Sequence, residues 1–460
     1  MVLLKLSDLL TLGHFKIKLV DLAQEWQMKK NIFVLALDEF TNKLFGTIKH
    51  ADHYQYHALL PPEKIISAPN YVMPELLDEA RSKLANFQGS VDAIVSYWDF
   101  PATLMLPILR QAAGLPTTSI ESILRCEHKY WSRTVQREVA QEMIPRVEPF
   151  NPFDEDPLNQ IKLNFPFWIK PVKAHSSILG FRIESSADFY AAIPKIRERI
   201  GRFSDPFNDI FQKADTPSKI TPINGNYCIA EEIISANNQC TLEGYVFNGR
   251  TFVYGAVDSL REENPSSFSR YHYPSRLPSE VLAQMTDITV RVMQRTKLNN
   301  EPFNIEFFHN PETGRITLLE INPRISKSHC PLFYFVEGAS HQEVMVDLAL
   351  GKKPEYPRGK GRYPMATKFM VRRYSGDAIV RRVPRRDEIE ALRKEVDGVL
   401  VVVWVKEGDR LSSFADTDSY SFEYANIFVG GESEEELVKK YQQCMKRLPF
   451  EFESLTSLEP

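Results

Sequence analysis

The chain has no apolar run long enough to cross a bilayer as a helix. Its longest unbroken stretch is Val399–Val405, far below the roughly 20 residues such a helix needs, and it reads as one buried strand. The opening MVLLKLSDLLTLGHFKIK is interrupted by Lys5, Asp8 and His14, so it lacks the apolar core of a secretory signal. An excess of one charge is missing too. The 56 basic and 60 acidic residues leave a formal net charge of −4, which supplies no electrostatic reason to expect nucleic acid or a membrane as partner. Cysteines are few and odd in number: Cys126, Cys228, Cys240, Cys330 and Cys444. With no CxxC or Cys/His cluster, a disulfide framework and a zinc site are both disfavoured. A cytoplasmic protein with reduced thiols is the expectation. No internal repeat or low-complexity tract stands out.

What is present is an ordinary globular composition, 43% hydrophobic and 25% charged, in a chain of 460 residues. That length exceeds one compact core and predicts two or three units. In residues 1–124, the apolar runs Asn31–Leu37 and Val91–Tyr97 alternate with helical patterns over Pro74–Phe87 and Pro101–Ala113. This rhythm implies a small parallel sheet covered by helices. From 125 to 350, a helix over Ile120–Ala140 and a Pro-rich loop, Pro145–Pro157, lead into strands at Phe165–Pro171, Tyr227–Ser235, Cys240–Phe247 and Thr251–Asp258. A polar stretch holds a helix at Ala187–Ile200. Further on come the helix Ser279–Thr296, the hairpin Phe303–Phe308 with Arg315–Asn322, and the helix Gln342–Leu350. After a linker at 351–364, the remainder to 460 reads as a mixed-sheet lobe closed by a helix at Ser433–Arg447. The fold class is therefore α/β and α+β.

The most informative segment is FNIEFFHNPETGRITLLEINPR, residues 303–324. Residues two apart on a strand share a face, so Glu320, Asn322 and Arg324 can project together. Two carboxylates and an amide oxygen are hard ligands of the kind Mg²⁺ takes beside triphosphate oxygens. A neighbouring Arg adds a planar cationic fork for phosphate or acyl phosphate. Glu306 joins this face only with the right hairpin parity: Phe308 opposite Gly314 turns it inward, and His309 opposite Gly314 turns it away.

Three further segments carry candidates. In FPFWIKPVKAHSSILG, Lys170 ends an aromatic strand and precedes a polar turn with Ser176 and Ser177. It is either a phosphate contact or an edge lysine. In YCIAEEII, Glu231 and Glu232 interrupt an apolar strand that ends at Ile233–Ile234. One of the two must point inward, where a carboxylate and strand-end backbone can read an adenine edge. Lys129 in CEHKYWSR is a helix lysine that either reaches phosphate or faces solvent.

In this order, Lys129, Lys170–Pro171, Glu231–Ile234, Glu306 and Glu320–Arg324 resemble the ATP-grasp superfamily, over roughly residues 90–350. The branch holding biotin carboxylase and the bacterial amino-acid ligases is the most similar. The resemblance implies an ATP-grasp fold with a preceding small parallel-sheet domain, a lid subdomain at about 165–247 and a C-terminal lobe. It implies ATP and Mg²⁺, or Mn²⁺ in its place, as cofactors. Lys129, Lys170, Ser176 and Ser177 would meet the phosphates, Glu231, Glu232 and Ile234 the adenine, and Gln239 the ribose. Glu306, Glu320 and Asn322 would hold the metal. Arg324 would be catalytic, and Ser328 and His329 would contact substrate. The implied activity couples a small-molecule carboxylate, activated as an acyl phosphate, to an amine, in a homodimer. The alternatives are a biotin carboxylase-type subunit and a catalytically silent nucleotide-binding protein. The chain departs from the family pattern in four places: a triphosphate loop whose one glycine is Gly180, Gln239 where a Glu is usual, ISKSHCPLF (325–333) where a Gly-rich turn is common, and the absence of the opening Gly-rich strand turn of the first domain.

Overall fold

The computed structural model describes residues 29–174, 178–234, 238–261, 267–374, 376–414 and 421–455. Strand and helix alternate at its beginning. β1 (Lys30–Leu35), β2 (Tyr54–Leu60) and β3 (Ala93–Val95) form a parallel sheet in the order β2-β1-β3. Ile32, Val34 and Leu35 of β1 and all of β3 are fully buried, as parallel strands covered on both faces must be. The helices Glu39–Phe45, Met73–Ala85 and Ala102–Ala112 supply the cover. The sequence pattern marks β1 and β3 but not β2, because Gln55 and His57 interrupt its apolar run.

A second, antiparallel sheet has the order β4-β7-β5-β6, from β4 (Val147–Phe150), β5 (Phe167–Pro171), β6 (Phe181–Ile183) and β7 (Cys228–Glu232). β4 lies inside the stretch expected as a Pro-rich loop. As an edge strand it tolerates Pro149, whose missing N–H would break a central ladder. The helices Ser186–Arg199 and Gly201–Phe211 accompany this sheet. The second of them falls in the expected polar stretch, yet Phe203, Phe207 and Phe211 recur every four residues as a buried stripe.

The largest sheet has eight strands in the order β12-β11-β8-β9-β10-β13-β16-β15. These are β8 (Asn238–Phe247), β9 (Arg250–Leu260), β10 (Arg270–Tyr273), β11 (Glu301–His309), β12 (Ile316–Asn322), β13 (Met365–Arg373), β15 (Val399–Val403) and β16 (Phe422–Gly431). β14 (Ala378–Arg382) pairs apart from them with β17 (Glu451–Ser454). Of the strands after the 351–364 linker, β13, β15 and β16 therefore join the large sheet, and β14 and β17 form a two-stranded sheet of their own. β13 hydrogen-bonds to β10 and extends the central one. One face of that sheet packs Phe303, Ile305, Phe307, Leu318 and Ile321 with Met285, Ile288 and Val292 of the helix Ser279–Thr296. The alternate residues, among them Asn304 and Glu306, face the other way.

The helix expected over Ile120–Ala140 is two helices, Ile120–Glu127 and Lys129–Ala140, broken at His128. His128 has ψ 96°, outside the helical range. Its Nδ1 accepts the Trp131 amide at 3.1 Å, capping the second helix, while Nε2–H donates to the Ile223 carbonyl at 2.6 Å. A side chain that serves as a cap at one end and a tertiary anchor at the other stops the helix, despite a periodicity that runs straight through.

Candidate active site

The hairpin β11–β12 sets the site. Near its turn His309 pairs with Ile316 and Phe308 with Thr317, so neither register weighed from the sequence is present. Continued without a break, this odd register would turn Glu306 away from Glu320. A bulge at Leu319 intervenes: Phe307 still pairs with Leu318, but Glu306 stands directly opposite Glu320 and Asn304 opposite Asn322. The extra residue restores parity and brings both carboxylates to one face.

Two carboxylates at cross-strand distance repel. Burial first, and then Glu320, push the Glu306 carboxyl up to about 8. Gln239 donates to Glu306 at 2.9 Å, and Arg261 donates to the Gln239 oxygen at 2.9 Å. Gln239, expected at the ribose, thus has both ends of its amide engaged beside the carboxylates, because β8 is the neighbour of β11 and Phe308 pairs with Gln239. Asn322 donates its NH₂ to Asn304 at 2.9 Å, and Asn304 donates to the Arg324 carbonyl at 3.0 Å. This arrangement leaves the Asn322 amide oxygen as the end available to a cation. Among the described residues no group of three or more His, Cys, Asp or Glu could hold a metal. Two mutually repelling carboxylates and an amide oxygen suit a hard cation that draws its remaining ligands from phosphate.

Arg324 does not stand free. Its guanidinium pairs with Asp99 through Nη2 at 2.9 Å and Nε at 3.2 Å. Burial would lower its pKa, but Asp99 more than offsets this and keeps it firmly charged. Asp99 also lies 3.3 Å from Lys173, which is buried and bonds Glu127 at 2.8 Å. Asp99 and Lys173 were missed from sequence, although a signal for Asp99 existed. It follows β3, and ligands of open parallel sheets gather beyond the carboxyl ends of strands. Asp38 follows β1 in the same way, and pairs with Lys327.

A narrow cleft between the helix Lys129–Ala140, β7 and β12 is lined by Lys129, Arg133, Lys170, Glu231 and Glu320. Lys129 is the first residue after the His128 break; its amide donates to the Val172 carbonyl at 3.1 Å and its ammonium to the Ala174 carbonyl. Burial lowers its pKa to about 8 against the pull of Glu320. Lys170 lies 2.7 Å from Glu231, and Arg133 donates to the other Glu231 oxygen at 2.5 Å. Burial alone would raise the Glu231 pKa, but the two cations hold it down at about 2. Of the glutamate pair, Glu231 is the inward one. Glu232 is part-exposed and its carboxylate accepts the Arg146 amide at 3.0 Å. Ile234 follows β7 and is half-buried, whereas Ser176 and Ser177 lie outside the described residues.

Residues 163–331 match the model of the ATP-grasp domain. That stretch, somewhat over a third of the chain, is similar to the ATP-grasp domain. The matched stretch contains Lys170, Glu231, Glu306, Glu320, Asn322 and Arg324; Lys129 precedes it and joins the cleft through tertiary packing. Among solved structures, the chain is similar to an L-amino acid ligase from Bacillus licheniformis, with 14% identity and a TM-score of 0.68, over 93% of this chain and 100% of that one. It is also similar to a carboxyaminoimidazole ribonucleotide synthase from Aspergillus clavatus complexed with ATP, with 14% identity and a TM-score of 0.61, over 91% and 98%. A third likeness is to the biotin carboxylase domain of the Hydrogenobacter thermophilus 2-oxoglutarate carboxylase, solved with MgADP and bicarbonate, with 13% identity and a TM-score of 0.59, over 92% and 91%. No curated protein matches the chain by sequence. At these identities the structural likeness establishes the ATP-grasp fold across nearly the whole chain. No helix among the described residues is long and apolar enough to cross a membrane.

The turn beyond Arg324 carries the other residues singled out from sequence. Ser328 accepts from Lys368 of β13 at 3.1 Å. His329 is buried and its Nδ1 lies 2.7 Å from Glu243 of β8. His341 donates to the Ser326 carbonyl at 2.8 Å. Where a Gly-rich turn is common, this chain holds an ordinary backbone in place by side chains from β8, β13 and the segment before the last helix of the core.

Proposed function

We propose that the chain is an ATP-dependent ligase that activates a small-molecule carboxylate as an acyl phosphate and couples it to an amine, releasing ADP and phosphate. The observation that carries this reading is the bulge at Leu319, which aligns Glu306 with Glu320 on the face shared by Asn322, with Arg324 beside them. The likeness to ligases of the same fold supports it. Glu306, Glu320 and Asn322 would hold Mg²⁺, or Mn²⁺, which when bound supplies charge neutralisation at the phosphates. Lys129 and Lys170 would orient the triphosphate, Lys170 by leaving Glu231. The β7 end from Glu231 to Ile234 would receive the adenine. Arg324 would stabilise the developing charge on the acyl phosphate and then on the tetrahedral species, held in orientation by Asp99. The chain would act on small molecules in the cytoplasm as a homodimer, with neither nucleic acid nor membrane as a partner.

ADP release in the presence of Mg²⁺ and ATP, screened over amino and hydroxy acids with amines, tests the reading. Stimulation by a particular acid is the expected result, and nucleotide binding without any stimulated release would overturn it. Bicarbonate-dependent release would favour the biotin carboxylase-type alternative. The Glu320→Gln variant is expected to lose Mg²⁺-dependent turnover by at least about 10³-fold with an unchanged melting profile. Retained turnover would remove the metal assignment.

A further inference from the structure

Behind the Arg324 turn lies a buried acid–imidazole pair that nucleotide and metal binding leave unused. Glu243 is 0% and His329 3% exposed, with Oε1 and Nδ1 2.7 Å apart. A second imidazole approaches, with His341 Nδ1 at 3.7 Å from Oε2, but it is already committed. Its Nε2–H donates to the Ser326 carbonyl, so Nδ1 is the acceptor, and it takes the Tyr254 hydroxyl at 3.1 Å. Glu243 Oε2 is consequently buried with no hydrogen-bond partner. His329 gives the carboxylate its one side-chain hydrogen bond, with the Ser326 backbone and the charge of Arg324 also facing it, and among the described residues no hydrogen-bonding group reaches His329 Nε2.

We propose that His329 is the general base that deprotonates the amine nucleophile, with Glu243 as its positioning residue; this rests on the ligase reading above. In the reaction, an N–H bond of the substrate ammonium breaks and its proton passes to His329 Nε2, leaving the electron pair on nitrogen. That nitrogen bonds to the carbonyl carbon of the acyl phosphate. The carbon–oxygen bond to phosphate then breaks, and phosphate leaves with the electron pair and takes the second nitrogen proton. The geometry favours this for a physical reason. With the carboxylate ionised, the pair carries a buried negative charge, so accepting one proton removes a buried charge instead of creating one. Burial pushes Glu243 up to about 7, against His341 and Arg324, while burial, Lys368 and Arg324 hold His329 down at about 3. The groups facing the pair are Arg324 on its own turn, Cys330 just beyond it, Lys368 from β13, Tyr273 and the Tyr271 ring edge-on at 5.1 Å from β10, and His341 with Tyr254. The two cations also favour loss of a proton from an incoming ammonium.

Hydroxylamine separates the two halves of the reaction, because it is largely unprotonated at neutral pH and captures an acyl phosphate without a base. With an acid found to stimulate ADP release, hydroxamate formation and amide formation with amino-acid amines are measured at pH 7. His329→Gln is expected to keep hydroxamate formation within about threefold and to lose amide formation by at least about 100-fold, the scale of general-base catalysis. Glu243→Gln should show the same selective loss to a smaller degree. Equal loss of both products would mean a structural role and overturn the proposal, as would unchanged amide formation. If neither variant folds, the wild type decides with a series of amines of graded basicity at pH 7: amide formation should not track the fraction of each amine that is already unprotonated in solution, and rates that follow that fraction overturn the proposal. A wild type that forms no hydroxamate with any acid defeats the ligase reading itself.

Discussion

Glu231 shows how one side chain can answer to two demands. Its carboxylate is buried, which alone would favour the neutral form, yet Arg133 and Lys170 contact one oxygen each and keep it ionised. A carboxylate so held contributes stability above its ordinary pKa of 4.5 and loses it as pH falls towards about 2. The difference corresponds to about 3 kcal/mol. In urea denaturation, the stability gap between wild type and Glu231→Gln should be largest near pH 6 and shrink steadily below about pH 4.5. A gap independent of pH would show that the carboxylate charge is not what matters there. Legibility at this scale followed chemistry. The EINPR and EE motifs marked Glu320, Asn322, Arg324 and Glu231 because acids amid apolar neighbours are conspicuous in one dimension. Asp99, Lys173 and Glu243 were not, because a lone charge gains meaning from a partner 46 or more positions away.

Elements were legible where a single period ran uninterrupted. The helix Ser279–Thr296 lies where its spacing predicts, and β1, β3 and the β11–β12 hairpin differ from expectation by a few residues at their ends. Two local irregularities were invisible, and both shape the site. The Leu319 bulge depends on hairpin pairing that no strand-level pattern encodes. The His128 break depends on the Ile223 carbonyl, 95 residues away. Replacing His128 with Ala removes the cap at Trp131 and leaves the Ile223 carbonyl without its donor. A loss of about 1–3 kcal/mol is expected in chemical denaturation. Because Lys129 begins the second helix, weaker nucleotide binding should accompany it. An unchanged nucleotide affinity together with the stability loss would show that the break does not position Lys129.

Across the whole molecule, the parallel-sheet unit and the large sheet share a hydrophobic core that runs from Leu76 and Leu104 to Phe303 and Leu318. Within it, Arg110 donates through Nη1 to Glu301 at 2.5 Å and through Nε to the Ile94 carbonyl at 2.7 Å. This buried pair ties the helix Ala102–Ala112 to the first residue of β11. Arg110→Met strands Glu301 without a partner and should cost about 3–5 kcal/mol, whereas the double change Arg110→Met with Glu301→Leu should recover most of it. A double variant as unstable as the single one would mean that shape, not charge, dominates at this junction.

The sequence by itself determined the resemblance to the ATP-grasp superfamily, the alternation of elements in the first unit, and the choice of Glu306, Glu320, Asn322 and Arg324 as candidates, because these follow from local period and residue type. Tertiary structure alone decided that Glu306 faces Glu320, through a bulge, and that Asp99 from one unit orients Arg324 in another. It also decided that β13, β15 and β16, after residue 364, extend the central sheet. Each of these is a pairing between distant segments, and its energy exists only once the chain has brought them together.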